Sequence, residues 1–184
     1  MFEELIIRTA TALVESQIPY MIIGGQAVLL YGEARLTNDI DITLGVGYEN
    51  LAQIIELIGK IGLTPIPKEA KTFVKETYVL PTQCVASGIR VDFIFSYTPY
   101  ERQSIERSNK IKIRGKEINF ASVEDIVIHK IFAGRSRDIE DVKAIVLKNP
   151  NLDIVYVKKW LMVFGNGFWK CFNRVMKEIH KLDE

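Results

Sequence analysis

Three aspartates define the chemistry open to this sequence. Asp39 and Asp41 stand two residues apart in Asp39-Ile40-Asp41-Ile42-Thr43-Leu44, where acidic or hydroxylic side chains alternate with aliphatic ones. A period of two is that of a strand, so both carboxylates leave one face while Ile40, Ile42 and Leu44 leave the other, toward a core. Two ionised carboxylates side by side repel, and each resists partial burial unless a cation neutralises them. A hard divalent cation with oxygen ligands resolves both problems. The plain alternative is a solvated polar face on an edge strand. Asp92 weakens that alternative. It sits in Arg90-Val91-Asp92-Phe93-Ile94-Phe95, a run so apolar that a lone aspartate needs a partner. Arg90, on the same face, is one such partner; a metal shared with Asp39 and Asp41 is another. Carboxylates from two strands make a set able to hold two Mg²⁺ ions, which bridge triphosphate oxygens, align an attacking hydroxyl and neutralise the leaving pyrophosphate.

The phosphates themselves have a place just upstream. Residues 20–23 form a short apolar run, β-branched at its end, that reads as a buried strand. It runs into Gly24-Gly25, and residues 26–31 then have helical character, with Gly32 expected as the C-terminal cap. Glycine lets a backbone approach phosphate closely, and a helix start offers unpaired N–H groups with a favourable dipole. Tight turns use paired glycines constantly, so the feature gains its weight from the aspartates beside it.

These groups need a scaffold, and the apolar pattern supplies one. Residues 2–15 and 49–61 carry a helical period, and Pro19 ends the first of these helices. Pro65 and Pro67 mark a loop. Residues 73–80 and 89–95 read as strands rich in Val, Phe, Tyr and Ile, separated by a turn region containing Pro81, Ser87 and Gly88. A short helix is expected over 100–107 and a strand–turn–strand over 110–120, turning at Arg114-Gly115-Lys116. Past Ser122 the character changes. Ser122 and Asp125 form a capping-box-like pair opening a helix to about residue 132, and three helical stretches follow at 138–147, 153–163 and 167–181. The expectation is an α+β fold, with a core over 1–121 and a C-terminal helical region over 122–184 packed on it.

Composition excludes more than it selects. The 184 residues suffice for one substantial core, and 48% hydrophobic with 26% charged residues is ordinary for a globular protein. Lys and Arg number 24 against 23 Asp and Glu, so nucleic-acid contact would need a local patch. Two isolated cysteines, Cys84 and Cys171, with no export pattern imply buried thiols in a reducing cytoplasm. No apolar run reaches the ~20 residues that span a bilayer, so no membrane role is expected. His129 and His180 lack partners at ligand spacing, which excludes a zinc site, and there is no Ser-His-Asp set or Walker loop. Near the C-terminus, Lys158, Lys159, Trp160, Phe168, Trp169, Lys170, Phe172, Arg174, Lys177 and Lys181 interleave charge with aromatics. Such a pattern serves either a nucleic-acid surface or, more commonly, amphipathic helices with aromatics on the core.

Gly24-Gly25, then Thr37-x-Asp39-x-Asp41, then Asp92 on a later strand, resembles the polymerase-β-like nucleotidyltransferase superfamily. With Ala27 two residues beyond the glycines and Arg35 before Thr37, the pattern is most similar to the AbiEii/AbiGii toxin-type branch and its uncharacterised relatives. The resemblance spans about residues 18–147 and implies a mixed sheet with flanking helices. It implies that Asp39, Asp41 and Asp92 hold Mg²⁺, that Asp92 serves as base, and that Gly24, Gly25, Arg35 and Thr37 lie on the nucleotide side. Downstream, Lys130 on the helix opened by Ser122, followed by Arg135-x-Arg137-Asp138-x-x-Asp141, is similar to that branch's later motifs. Lys130 would contact the triphosphate and either Asp138 or Asp141 would orient it or the acceptor. The bland reading of Lys130 is an exposed helix lysine paired with Asp125, Asp138 or Glu140, and that of the two acids is capping and solvating a helix. Gly25 stands where many polymerase-β relatives have Ser, which removes a hydroxyl contact to phosphate, and the chain is shorter than many toxin relatives. The implied activity is Mg²⁺-dependent transfer of a nucleotide from an NTP to RNA, tRNA or a protein, in a protein with an antitoxin partner. The rivals are a non-catalytic nucleotide-binding or regulatory protein, and a kinase-like transfer of the terminal phosphate.

Overall fold

The structure, a computed structural model, describes residues 1–33 and 36–180, divided between a sheet unit and a helical unit. The sheet unit takes in Met1–Gln26 and Leu36–Ala121. It begins with α1 (Phe2–Glu15), β1 (Tyr20–Ile23), the start of α2 (Gly24–Tyr31) and β2 (Asp39–Leu44). A 3₁₀ turn at Tyr48–Asn50 leads into α3 (Leu51–Lys60), β3 (Leu63–Pro65) and α4 (Ala70–Thr77). Then come β4 (Val79–Cys84), β5 (Arg90–Phe95), α5 (Pro99–Glu106), β6 (Asn109–Ile113) and β7 (Lys116–Phe120).

The strands pair in the order β3-β4-β5-β2-β1-β7-β6. β2 is parallel to β5 and β1 is parallel to β7, while the remaining pairs are antiparallel. The fold is therefore α+β on a mixed sheet. β1 is buried along its whole length, and β2 and β5 bury Ile40, Ile42, Leu44, Val91, Phe93 and Phe95. At the β6–β7 turn, Arg114 and Gly115 both take positive φ, 47° and 82°, which matches the twist of a tight hairpin. The two sheet edges differ in kind: β3 is three residues long and ends in Pro65, while β6 exposes Lys110 and Lys112.

The structure corrects the sequence reading in three places. Most of 73–80, expected as a strand, is the helix α4, which buries only Val74 and so shows no helical stripe to read. Tyr78 closes it in the left-handed region at φ 58°. Pro81 is not in a turn but in β4, beside the point where pairing with β3 stops, and its carbonyl accepts from Ile66 N at 2.9 Å. The Pro65 segment contributes the short strand β3 instead of a loop alone. Gly32 closes α2 as expected, its N donating to Val28 O at 2.8 Å, though without a positive φ; an added Cβ would lie 3.1 Å from Ile145 Cγ1, so close packing keeps this residue small.

The helical unit comprises the described parts of Ala27–Arg35 and Ser122–Glu184. Its helices are α6 (Val123–Ala133), α7 (Ser136–Lys148), α8 (Ile154–Phe164) and α9 (Asn166–His180). Ser122 caps α6: its Oγ accepts from Asp125 N at 3.2 Å and donates to Asp125 Oδ2 at 2.6 Å. The Asp125 carboxylate, fully buried, also accepts from Tyr156 Oη at 2.9 Å. Gly134, at φ 66°, ends α6. Trp160 and Phe172 are buried, Phe132 stacks on Phe168, and Lys158 and Lys159 cover the rings of Trp169 and Trp160. These contacts favour packed amphipathic helices over a nucleic-acid face for the C-terminal aromatics; Lys181 lies outside the described residues. Cys84 is buried as expected, whereas Cys171 is partly exposed. No helix among the described residues is long and apolar enough to cross a membrane.

Ser122→Ala removes both the cap and a donor to a buried carboxylate, and is expected to lower stability by about 1–3 kcal/mol in urea unfolding. His129 on α6 keeps some surface, but its Nε2 is shut off from solvent. Burial, aided by the charge of Lys130, pushes its pKa down to about 4. The unfolded chain therefore binds this proton more tightly than the folded one. Stability is full above about pH 6.5 and falls as pH drops toward 4, by roughly 2–3 kcal/mol from this group. Denaturation midpoints across that window should flatten in His129→Gln.

Candidate active site

β2 lies between β1 and β5, so Asp39 and Asp41 are on an interior strand and the edge-strand alternative does not apply. The parallel register sets Asp39 against Arg90 and Asp41 against Asp92, while β1 places Ile23 against Asp41. Paired residues in neighbouring strands share a face. Asp39, Asp41, Arg90 and Asp92 therefore stand together on one side of the sheet, each carboxylate half-buried, while Ile40, Ile42, Val91 and Phe93 fill the core on the other.

The charge this creates is met by Arg90. Its Nε donates to Asp92 Oδ1 at 2.7 Å and its Nη2 to Asp92 Oδ2 at 2.8 Å, a two-pronged contact. The hydrogen bond to Asp92 raises the guanidinium pKa most, against the opposing effect of burial, and the charges of Asp92, Asp39 and Asp41 raise it further. All three carboxylates thus act on one cation. Among the described residues no three acidic, histidine or cysteine side chains are gathered into a ready metal cluster. The donor set nevertheless suits a hard divalent ion: oxygen only, on one face, with Asp92 needing to turn from Arg90 to complete it.

α2 begins against the same carboxylates. Gly24 takes φ +65°, and a Cβ there would lie 1.9 Å from Asp41 Oδ2. Only glycine permits that approach. It brings the N-terminal turn of a helix, whose first N–H groups have no partner within the helix itself, beside Asp41. Gly25 is buried in the same turn. Gln26 Nε2 donates to Thr37 Oγ1 at 2.8 Å, and Thr37 Oγ1 donates to Asp39 O at 3.3 Å. Thr37 thus ties the start of α2 to the start of β2. Gln26 was given no role by sequence reasoning; its signal was an amide directly after the glycine pair. Arg35, expected on the nucleotide side, lies outside the described residues.

Lys130, Asp138 and Asp141 come together in the helical unit. Lys130 is buried and not exposed, but it is paired with Asp138 as the bland reading expected: Nζ lies 2.8 Å from Asp138 Oδ1 and 2.9 Å from Asp141 Oδ2. Asp138 also accepts from Arg135 Nε at 2.7 Å and from Arg135 N at 3.3 Å, so it caps α7 as well. Burial works to raise the Asp138 pKa, but the hydrogen bonds from Lys130 and Arg135 outweigh it and hold it below the ordinary value. Asp138 is sealed, at 3% exposure, whereas Asp141 lines a cavity of about 770 Å³ with Glu140, Lys143 and Glu178.

A model of the family described as "Nucleotidyltransferase of unknown function (DUF6036)" matches residues 4–174. No curated protein matches. Among solved structures, the antibiotic-resistance factor ANT(2'')-Ia in solution is 17% identical, with 97% of each chain covered and a TM-score of 0.61. ANT(2'')-Ia in complex with adenylyl-2''-tobramycin is 18% identical, covering 92% of this chain and 98% of that one, at a TM-score of 0.60. An antigenic nucleotidyltransferase-like protein from Paracoccidioides brasiliensis is 16% identical over 93% of this chain and 91% of its own, at 0.59. At these identities the likeness is one of fold.

Gly24→Ala forces a Cβ onto a carboxylate at an unfavourable φ, whereas Gly62→Ala, at φ +73° with nothing within 4 Å, carries only the backbone strain. Thermal unfolding should show Gly24→Ala losing more, about 2 kcal/mol or above against roughly 1 for Gly62→Ala.

Proposed function

The chain belongs to the DUF6036 family of nucleotidyltransferases, and we propose that it moves a nucleotide from an NTP to an acceptor hydroxyl in a Mg²⁺-dependent reaction centred on Asp39, Asp41 and Asp92. The observation carrying this reading is the register that sets Asp92 directly beside Asp41 on the carboxylate face. Asp39, Asp41 and Asp92 would hold the metal, the last of these being the carboxylate that Arg90 engages. Bound Mg²⁺ supplies charge neutralisation on the triphosphate and its leaving group.

The chain's own groups do the rest. The first-turn N–H groups of α2, reached through Gly24 and Gly25, hold phosphate oxygens, and Thr37 with Gln26 keeps that turn fixed to β2. Arg35 adds positive charge on the nucleotide side. The Asp92 carboxylate takes the proton of the acceptor hydroxyl as its oxygen bonds to the α-phosphorus. The bond from that phosphorus to the β-bridging oxygen breaks, and pyrophosphate leaves with the electron pair. Lys130 is assigned to the triphosphate by resemblance alone. Of the two downstream acids Asp141 is the reachable one, and Asp138 serves to cap α7 and hold Lys130.

ANT(2'')-Ia is seen with an adenylylated acceptor, which supports nucleotidyl transfer on this fold. For this chain we infer an RNA, tRNA or protein acceptor, and a toxin role with an antitoxin partner, from the AbiEii-like residue pattern. The engagement of Asp92 by Arg90 favours one second reading, a nucleotide-binding regulator without turnover. Calorimetry with NTP and Mg²⁺ that detects binding in the absence of any product would support it.

The test is incubation with each α-labelled NTP, Mg²⁺ and cellular RNA and protein. Label should pass to one pool with release of pyrophosphate; release of nucleoside diphosphate would instead indicate terminal-phosphate transfer. Asp41→Asn should lower transfer by roughly 100-fold or more while shifting unfolding by less than about 1 kcal/mol. Normal transfer by that variant would refute the assignment.

A further inference from the structure

At the opposite end of β2 and β5 from the carboxylates, three tyrosines from three separate segments converge. Leu44 and Phe95 are register partners, Ser96 N donates to Val46 O at 3.1 Å, and Phe95 N donates to Tyr78 O at 2.8 Å. These bonds bring together the ends of β2 and β5 and the start of β4. Tyr78 stacks on Tyr97 at 4.6 Å between centroids, and Tyr48 meets Tyr78 edge-on at 5.8 Å. Tyr97 is 60% exposed and Tyr48 42%, so the stack stands in solvent instead of filling a core.

Two further features mark this surface. Tyr78 holds φ 58°, a conformation that costs a β-carbon residue about 1 kcal/mol or more and that glycine or asparagine would adopt more easily. Beside the stack, Tyr48 walls a hollow of about 360 Å³ with Glu49, Leu51, Ile55, Lys71 and Lys75, two cations against one carboxylate. Lys71 and Lys75 are four apart on α4, hence on one side of it, and both are exposed. No carboxylate among the described residues is ion-paired to either.

We propose that Tyr48, Tyr78 and Tyr97, with Lys71 and Lys75, form an anchoring surface for single-stranded nucleic acid. Bases stack on the open ring of Tyr97 and against Tyr48, and the backbone phosphates lie over the two lysines. Stacked rings with a free face accept any base, and two exposed lysines, which leave the hollow net positive beside Glu49, match a polyanion. A duplex keeps its bases in its own stack and cannot use the rings. The surface uses none of the residues of the carboxylate site and does not rest on the catalytic reading.

Fluorescence anisotropy of the full chain with labelled oligouridine tests the proposal, with hairpin duplex RNA as the comparison. Binding is expected, preferring the single strand. Tyr97→Ala should weaken it by roughly 5- to 100-fold, as for one stacked base, while Tyr97→Phe should retain it. The Lys71→Ala, Lys75→Ala double variant should reduce the slope of log K against log salt by about 1.4. Asp41→Asn should bind as the native chain does, which separates this surface from the proposed active site. No binding at low salt, equal affinity for duplex, or undiminished binding by both Tyr97→Ala and the lysine variant would overturn the proposal. So would Tyr97→Phe losing as much as Tyr97→Ala.

Discussion

Three like charges held side by side on one sheet face are the constraint around which this molecule is organised. Register forces Asp41 beside Asp92, and a helix turn is pressed so close to Asp41 that only a residue without a side chain fits at position 24. Repulsion of this kind persists in a folded protein only when something positive is at hand. Here that something is the Arg90 guanidinium, bound at two points to Asp92 and acted on by all three carboxylates. The interior position of β2 follows from the same need. A strand flanked on both sides cannot slip, and its buried row of Ile40, Ile42 and Leu44 fixes which face the acids occupy.

The helical unit solves a similar problem with the signs reversed. There a buried lysine is the charge requiring compensation, and two aspartates one turn apart on α7 supply it. Breaking such an arrangement by removing one partner costs far more than never having built it. Asp138 does two things at once, closing the first turn of α7 and holding Lys130, while Asp141 retains a side toward a cavity. Asp125, capped by Ser122 and Tyr156, is the neutral-partner counterpart of the same rule: every buried acid described here is supplied with donors.

What could be read in the chain followed from how periodic each segment is. β2 and α1 appear with the bounds their patterns imply, because alternation over six residues and an apolar stripe over fourteen leave little freedom. That Asp39, Asp41 and Asp92 share one sheet face was legible because each is an acid in an apolar strand, an anomaly visible without coordinates. The failures have the opposite character. α4 buries a single side chain, so Phe73, Val74 and Tyr78 suggested a strand by composition while the helix itself left no stripe. Pro81 was read as punctuation, yet a strand accommodates proline wherever a neighbour's pairing has ended. The bond from Gln26 to Thr37 and the choice between Asp138 and Asp141 depend on distances between elements, which no local pattern encodes.

The ends of the sheet carry a last implication. A mixed sheet of this width presents two outer strands whose free N–H and C=O groups are templates for another chain. Here one outer strand is only three residues long and closes on a proline, and the other projects two lysines into water. Neither offers the long, flat, apolar border on which sheets fuse into aggregates. The protein can therefore keep a crowded, highly charged face within its sheet without inviting a second sheet to extend it.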